Sequence, residues 1–286
     1  MNKHVLVIAN TDSDDLLSLE KARDITFPLD ASVEVVKFVQ YTEESSLTPQ
    51  QYLEQAEQAL CSSIQSVFND TSNITTNVVN GDNVADWVVE RCNKKAVDLV
   101  IKGGHRSESL FHTPCDWQLI RHLHCPILIA SHVSWKTKAN ILLALDLSTD
   151  EIMHQQLNSL ILSWGDTWAK ATHSELHAVY SIPIAKPMLD FDVVDKQSVK
   201  RAKAPAAQEK MDDLLSLYNM SSITSHIIAG PPDRMIPHQA NELYSDLVII
   251  GSVGREGVSN LLLGNTAEKV LHHLRTDCLI IKLSQD

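Results

Sequence analysis

The sequence predicts an α/β chain built from two tandem, doubly wound, five-stranded parallel-sheet domains. Three observations carry this. Short Val/Ile/Leu-rich runs alternate with longer helical patterns along the chain. The pattern occurs twice, in the same order. The runs are apolar almost throughout, as strands buried on both faces by right-handed βαβ crossovers require. At roughly 150 residues per domain, 286 residues hold two domains.

In the first half the apolar runs place strands near 4–9, 32–39, 74–79, 97–102 and 126–130. Helical patterns fill the intervals near 13–26, 48–69, 83–95 and 115–124. The acidic run Asp12-Ser13-Asp14-Asp15 caps and charges the first turn of the first helix. In the second half strands fall near 139–146, 175–181, 223–229, 246–251 and 278–283. Helices fall near 151–171, 196–219, 233–244 and 266–275. Leu157, Leu160, Ile161, Trp164 and Trp168 form an apolar stripe that packs on the sheet. Lys196, Lys200, Arg201 and Lys203 read as a solvated helix face rather than an RNA site. Each half is Rossmann-like or flavodoxin-like in this pattern.

The repeat is explicit. Val97-Asp98-Leu99-Val100-Ile101-Lys102-Gly103 corresponds to Ser245-Asp246-Leu247-Val248-Ile249-Ile250-Gly251. The opening strands correspond as well, Val5–Asn10 against Ile141–Asp146. Domains are expected over 1–134 and 139–286, joined by the polar stretch Ser131–Ala139. The repeat offset grows from 136 at the first strand to 148 at the fourth, which locates an insertion at 183–195. A loop there would hang over the carboxyl edge of the sheet, although tolerated surface insertions are common.

Lys+Arg 24 against Asp+Glu 36 gives a net charge of -12. That is the wrong sign for wrapping nucleic acid, which needs clustered Lys/Arg to release counterions. No apolar run approaches the roughly 18 residues of a membrane span, so no membrane partner is expected. Met1-Asn2-Lys3-His4 leads straight into a strand pattern, and a cytoplasmic location is expected. The 5 cysteines are odd in number and irregular in spacing, without a C-x-x-C pair. They are expected to be free thiols in or near the core.

The informative motif runs from Gly251 to Thr266, with glycines at 251, 254, 257 and 264. It begins where a buried strand ends and finishes where the helix Thr266-Ala267-Glu268-Lys269-Val270-Leu271 begins. Glycines there let the backbone approach a ligand closely. Gly264-Asn265-Thr266 offers amide N–H groups and a hydroxyl at a helix N-terminus, whose partial positive charge favours an anion. Such a loop holds a phosphate chain through backbone dipoles without any lysine, with Arg255 as the close positive side chain. The plainer reading is a glycine loop and a helix cap.

Gly251-x2-Gly254-x9-Gly264-Asn265, between the last two strands of a five-stranded domain, resembles the nucleotide loop of the universal stress protein family. Asp146 matches that family's strand-end Asp near adenosine, and Val179 its strand whose backbone meets adenine. The resemblance covers both halves and is nearest to the family's tandem, two-domain members. It implies ATP or a related adenine nucleotide in the second half, held by Asp146, Val179, Gly251, Gly254, Arg255, Gly264, Asn265 and Thr266. The first half departs from the pattern: Asn10 stands in place of Asp146, and Thr113-Pro114-Cys115 replaces Gly264-Asn265-Thr266. Proline removes an amide that a phosphate would need, so no nucleotide is expected there.

Other chemistry is weakly represented. The sequence has no G-x-x-x-x-G-K-[ST], G-x-S-x-G or H-E-x-x-H. His105, His112 and Cys115 suit zinc if a loop brings them together, but exposed or capping histidines are the favoured reading and no metal is expected. No general base stands out, so at most a weak ATPase is expected. The leading expectation is a stress-response protein with a nucleotide in its second domain. Its first domain then serves as scaffold or surface for protein partners not named by the sequence. The two copies form an intramolecular pseudo-dimer, with further dimerisation open. The alternative is a non-catalytic module for a lipid-like or nucleotide-sugar ligand, or for a partner protein.

Overall fold

The computed structural model describes residues 3–9, 15–26, 28–43, 45–103, 114–131, 133–135, 138–185, 195–252 and 265–283. They fall into two units, Met1–Trp135 and Lys136–Asp286. The first runs β1 (His4–Ala9), α1 (Asp15–Thr26), β2 (Ser32–Val39), α2 (Pro49–Val67), β3 (Ile74–Asn80), α3 (Val84–Lys94), β4 (Leu99–Gly103), α4 (Pro114–His122) and β5 (Ile127–Ala130). The second runs β6 (Asn140–Ala144), α5 (Ile152–Thr172), β7 (Glu175–Ile182), α6 (Lys196–Leu217), β8 (Thr224–Ala229), α7 (Pro232–Glu242), β9 (Leu247–Ser252), α8 (Asn265–His273) and β10 (Asp277–Lys282). No helix among the described residues is long and apolar enough to cross a membrane.

All described strand pairs within each unit are parallel. The order is β3-β2-β1-β4-β5 in the first sheet and β8-β7-β6-β9-β10 in the second. The registers repeat too: Val5 stands opposite Leu99, and Ile141 opposite Leu247. Central strands are buried end to end, β1 and β4 at every residue, while the edge strands β3 and β8 are partly open. This is the two-face burial that the continuous apolar runs require.

The repeated aspartate accounts for part of the repeat. Asp98 accepts a hydrogen bond from the His4 backbone N–H at 2.7 Å and returns its own N–H to the His4 carbonyl at 2.8 Å. Asp246 does the same with Asn140, at 3.1 and 2.9 Å. Each aspartate therefore staples the amino ends of the first and fourth strands. For this reason β4 begins at Leu99 rather than at the expected 97. The expected strand at 139–146 also stops early, at Ala144, because the Asp146 backbone bonds a side chain instead of a strand.

Helix boundaries follow local chemistry. Thr48 forms a capping box with Gln51, and Pro49 takes the first helical position of α2. Asp195 caps α6 through the N–H groups of Gln197 and Ser198. On α6, Ala207, Met211 and Leu215 are buried at helical spacing, while Lys196, Lys200, Arg201 and Lys203 are exposed. The α5 stripe buries Leu157, Ile161 and Trp168. None of the five cysteines is in a disulfide. Asp12, Ser13 and Asp14 lie outside the described residues, and α1 begins at Asp15.

Replacing Asp246 with Ala removes the acceptor for Asn140 N–H at the β6–β9 junction. The expected loss is about 1–3 kcal/mol, read as a lower urea midpoint for the full chain. On β7 and β8, His226 Nε2 lies 3.3 Å from His177 Nδ1. Burial, then the neighbouring imidazole, holds His226 below the ordinary histidine value; burial does the same for His177. Both therefore take up a proton at lower pH in the fold than in the unfolded chain, which protonates first. Stability from this pair is present above the ordinary histidine value and declines as pH falls through it. His226→Gln is expected to flatten the dependence of the urea midpoint on pH between 7.5 and 5.5.

Candidate functional site

A cavity of about 340 Å³ opens at the carboxyl ends of β6 and β9. These strands are adjacent in space but not in sequence, and β6 sends its chain toward β7 on its other side. Open α/β sheets part their loops at such a switch point. The volume is within the usual range of about 300–1,000 Å³ for small-molecule sites. Apolar lining comes from Leu157 and Ile161 of α5, Pro183, Ile236 of α7 and Ile250 of β9. The polar lining comes from Asp146, Ser148, His154, Asn158, Ser181, Ser252 and Thr266.

Asp146 is the best-organised residue there. Its backbone N–H donates to Asn158 Oδ1 at 3.0 Å, and its carbonyl accepts from Asn158 Nδ2 at 2.8 Å. The buried Asn158 carboxamide thus replaces a strand neighbour and fixes the chain as it leaves the sheet. The Asp146 carboxylate accepts from Ser148 N–H at 2.9 Å and Ser148 Oγ–H at 2.6 Å through Oδ1. His154 Nδ1 lies 3.0 Å from Oδ2. A carboxylate only accepts, so Nδ1 carries a proton toward Asp146, while Nε2 lies 3.9 Å from Glu151 Oε2. Burial first, then the Asp146 charge, pushes the Tyr180 phenol above its ordinary value.

The Ser148 hydroxyl is spent on Asp146 rather than directed at His154, so these three do not form a nucleophile–base–acid series. Their chemistry is that of recognition: a carboxylate able to accept from hydroxyl or ring N–H groups, with an imidazole beside it. Opposite them, α8 begins at Asn265, and Thr266 and Ala267 of its first turn line the cavity. The first N–H groups of a helix lack intrahelical partners and carry partial positive charge. No Lys or Arg is among the described lining residues.

The corresponding edge of the first unit is built differently. Lys102 stands where the second unit has Ile250, one residue before the glycine that ends or nearly ends the fourth strand. Its ammonium is buried, 2.7 Å from Asp116 Oδ1, and donates to the Gly103 carbonyl at 3.0 Å. Asp116 is the third residue of α4, as Ala267 is of α8. Lys21, also buried, donates to the Ser131 carbonyl just past β5 at 2.8 Å, with its ammonium 5.7 Å from the Trp135 ring centre. Where the second unit lines a cavity with Ile250 and Ala267, the first places an internal ion pair.

The universal stress protein family profile matches residues 1–131 and again 140–282. The chain belongs to the universal stress protein family. Universal stress protein E of Escherichia coli strain K12 is 33% identical over 197 residues, which cover 66% of this chain and 61% of that protein. The chain thus aligns with less than two thirds of that relative's length. A universal stress protein E homolog of Haemophilus influenzae is 30% identical over 85% of this chain and 81% of its own. A crystal structure of a universal stress protein from Archaeoglobus fulgidus shares the fold, with a TM-score of 0.66, 17% identity and 98% of each chain covered.

Of the residues that the resemblance pointed to, Asp146, Gly251 and Thr266 line the cavity together. Val179 lies beside it: it is fully buried, and its carbonyl accepts from Leu145 N–H at 3.0 Å. The following residues, Tyr180 and Ser181, reach the cavity. Asn265 starts α8. Gly254, Arg255 and Gly264 lie outside the described residues, as do His105, His112 and most of the 183–195 insertion. Pro183, at the root of that insertion, lines the cavity, and Ile184 is buried. No group of three or more metal-ligating side chains occurs among the described residues.

Sequence reading missed Asn158, His154 and Ser148. A signal existed for two of them. His154, Leu157, Asn158 and Ile161 recur at i, i+3, i+4 and i+7 on one face of α5. Polar residues on an otherwise apolar face mark a buried site, a signal that the Leu, Ile and Trp of the stripe do not carry by themselves.

Gly251 has a packing reason as well. A Cβ there would collide with the Leu157 side chain of α5. Gly251→Val is therefore expected to lower stability by about 1–3 kcal/mol through overpacking. Adding Leu157→Ala should recover part of that loss, and a double-mutant cycle in urea would read the coupling.

Proposed function

We propose that the second unit binds an adenine nucleotide of the ATP type at the β6–β9 cavity, and that the first unit is a non-binding copy serving as scaffold or partner surface. The observation that carries this reading is the cavity that Asp146 and the first turn of α8 line together. A nucleotide needs a polar partner for ribose or base and an electropositive N–H edge for phosphate. Asp146, with His154 behind it, supports the first, and the N-terminus of α8 the second. Val179, Tyr180 and Ser181 at the end of β7 are the proposed base side. Gly251, Gly254, Arg255, Gly264, Asn265 and Thr266 are the proposed phosphate side. In the first unit, Pro114 at the start of α4 and the Lys102–Asp116 pair work against the same ligand.

A second reading has one observation in its favour. The apolar lining residues and the absence of Lys or Arg from the described lining suit a ligand of lower charge, such as a nucleotide sugar or a lipid-like molecule. Mass spectrometry of ligand extracted from the purified protein separates the two.

The test is calorimetry of the full chain with ATP. One site per chain is expected. Ile250→Lys with Ala267→Asp, which copies the first unit's ion pair into the second, is expected to weaken ATP at least tenfold, with a circular-dichroism melt confirming a folded chain. Two sites per chain, or unchanged affinity in the folded double variant, would overturn the assignment.

A further inference from the structure

Two imidazoles meet at the edge of the second sheet. His177 is the third residue of β7 and His226 the third of β8. In the parallel register His177 stands opposite Thr224, and Val179 opposite His226. Side chains alternate along a strand, so both imidazoles lie on one face, a diagonal step apart. Their ring centroids are 5.4 Å apart, the rings are tilted by 39°, and His226 Nε2 lies 3.3 Å from His177 Nδ1. The other face of β8 is the one α6 covers, where Gln208 Nε2 donates to Ser225 Oγ at 2.8 Å. Both histidines are partly exposed, beside the exposed Glu175 and Thr224, so water and small ions reach them.

We propose that His177 Nδ1 and His226 Nε2 are the protein ligands of a divalent transition-metal site of the zinc type, completed by water. Zinc binds imidazole nitrogen at about 2.0–2.1 Å, so nitrogens 3.3 Å apart subtend about 107° at the ion, near the tetrahedral value. The strands already hold the spacing; the rings need only turn until both lone pairs meet the ion. Only neutral imidazole coordinates a metal. Burial, against the charge of Glu175, holds His177 below the ordinary histidine value, and burial then His177 does so for His226. Protons therefore compete less with a metal near neutral pH. Glu175 is two residues before His177, on the same face of β7, and its charge favours a cation. Imidazole suits zinc, copper and nickel, whereas magnesium and calcium take oxygen ligands.

The first unit does not repeat the arrangement. By strand register Glu34 corresponds to His177, and Asn77 to His226. Glu34 accepts from Arg91 Nε of α3 at 2.9 Å, and Gln239 stands at the matching place in α7. A carboxylate engaged by a guanidinium serves structure; two imidazoles at the same place are able to coordinate. Two protein ligands leave the remaining tetrahedral positions to water, so the ion exchanges readily, unlike one in a closed four-ligand site. Bound there, it clips the edge strand β8 to β7.

The experiment uses the untagged full-length chain, freed of metal with a chelator and titrated with zinc chloride at neutral pH in a calorimeter, without nucleotide. Binding of one zinc per chain is expected. His177→Gln and His226→Gln are each expected to weaken it by roughly tenfold or more, with circular-dichroism melts confirming folded chains. Cobalt(II) in place of zinc is expected to give the visible absorption of a nitrogen–oxygen site, without a thiolate charge-transfer band. Should a variant fail to fold, the cobalt spectrum of the unaltered chain decides. No zinc binding, a thiolate band with cobalt, or unchanged zinc affinity in the folded double variant would overturn the proposal. Each of these results leaves the nucleotide reading of the β6–β9 cavity untouched.

Discussion

The pairing of the first strand with the fourth is the constraint on which each unit depends. It is the pairing that chain order does not provide, because two strands and three helices intervene. Asp98 and Asp246 secure it at the amino ends by bonding both backbone groups of the first strand's opening residue. Burial of Val5–Ile8 against Leu99–Ile101, and of Ile141–Leu143 against Leu247–Ile249, secures the rest. Once these strands are neighbours, the connections leaving their carboxyl ends run to opposite sides. A crevice between them is the geometric result.

The two units fill that crevice by opposite means. In the second, α5 closes one side with Leu157 packed on Gly251, and Asn158 holds the departing Asp146 backbone. The space that remains is lined by groups able to donate or accept. In the first, Lys102 and Asp116 neutralise each other inside the protein, and Lys21 bonds a main-chain carbonyl. Burying such charges is tolerable only when each has a partner at short range. The same repeat therefore supports a recessed site in one copy and an internal charge network in the other.

The fold was legible because its signals are periodic and repeated. Continuous apolar runs gave the strands to within about two residues, and the departures have physical causes. Asp98 is a staple rather than a strand residue, and Asn158 ends β6 early. The site was less legible. Asp146, Gly251 and Thr266 were found by resemblance at the strand ends and helix start. Asn158 and His154 were not, because their role appears only when α5 is laid across the sheet. Lys102 and Asp116 are 14 positions apart in sequence, a spacing with no meaning until β4 and the start of α4 are brought to the same edge.

The buried Lys102–Asp116 pair has a consequence for how the chain responds to its surroundings. An ion pair held within the protein has a fixed local concentration, so the first unit's resistance to unfolding is set once, by its own covalent chain. A recess that takes up a diffusible molecule behaves otherwise: occupancy at 100 times the dissociation constant adds about 2.7 kcal/mol to the unit that holds it. With such a molecule bound, protease susceptibility and hydrogen exchange in residues 140–282 would track its supply, while residues 3–131 would provide a constant baseline within the same polypeptide.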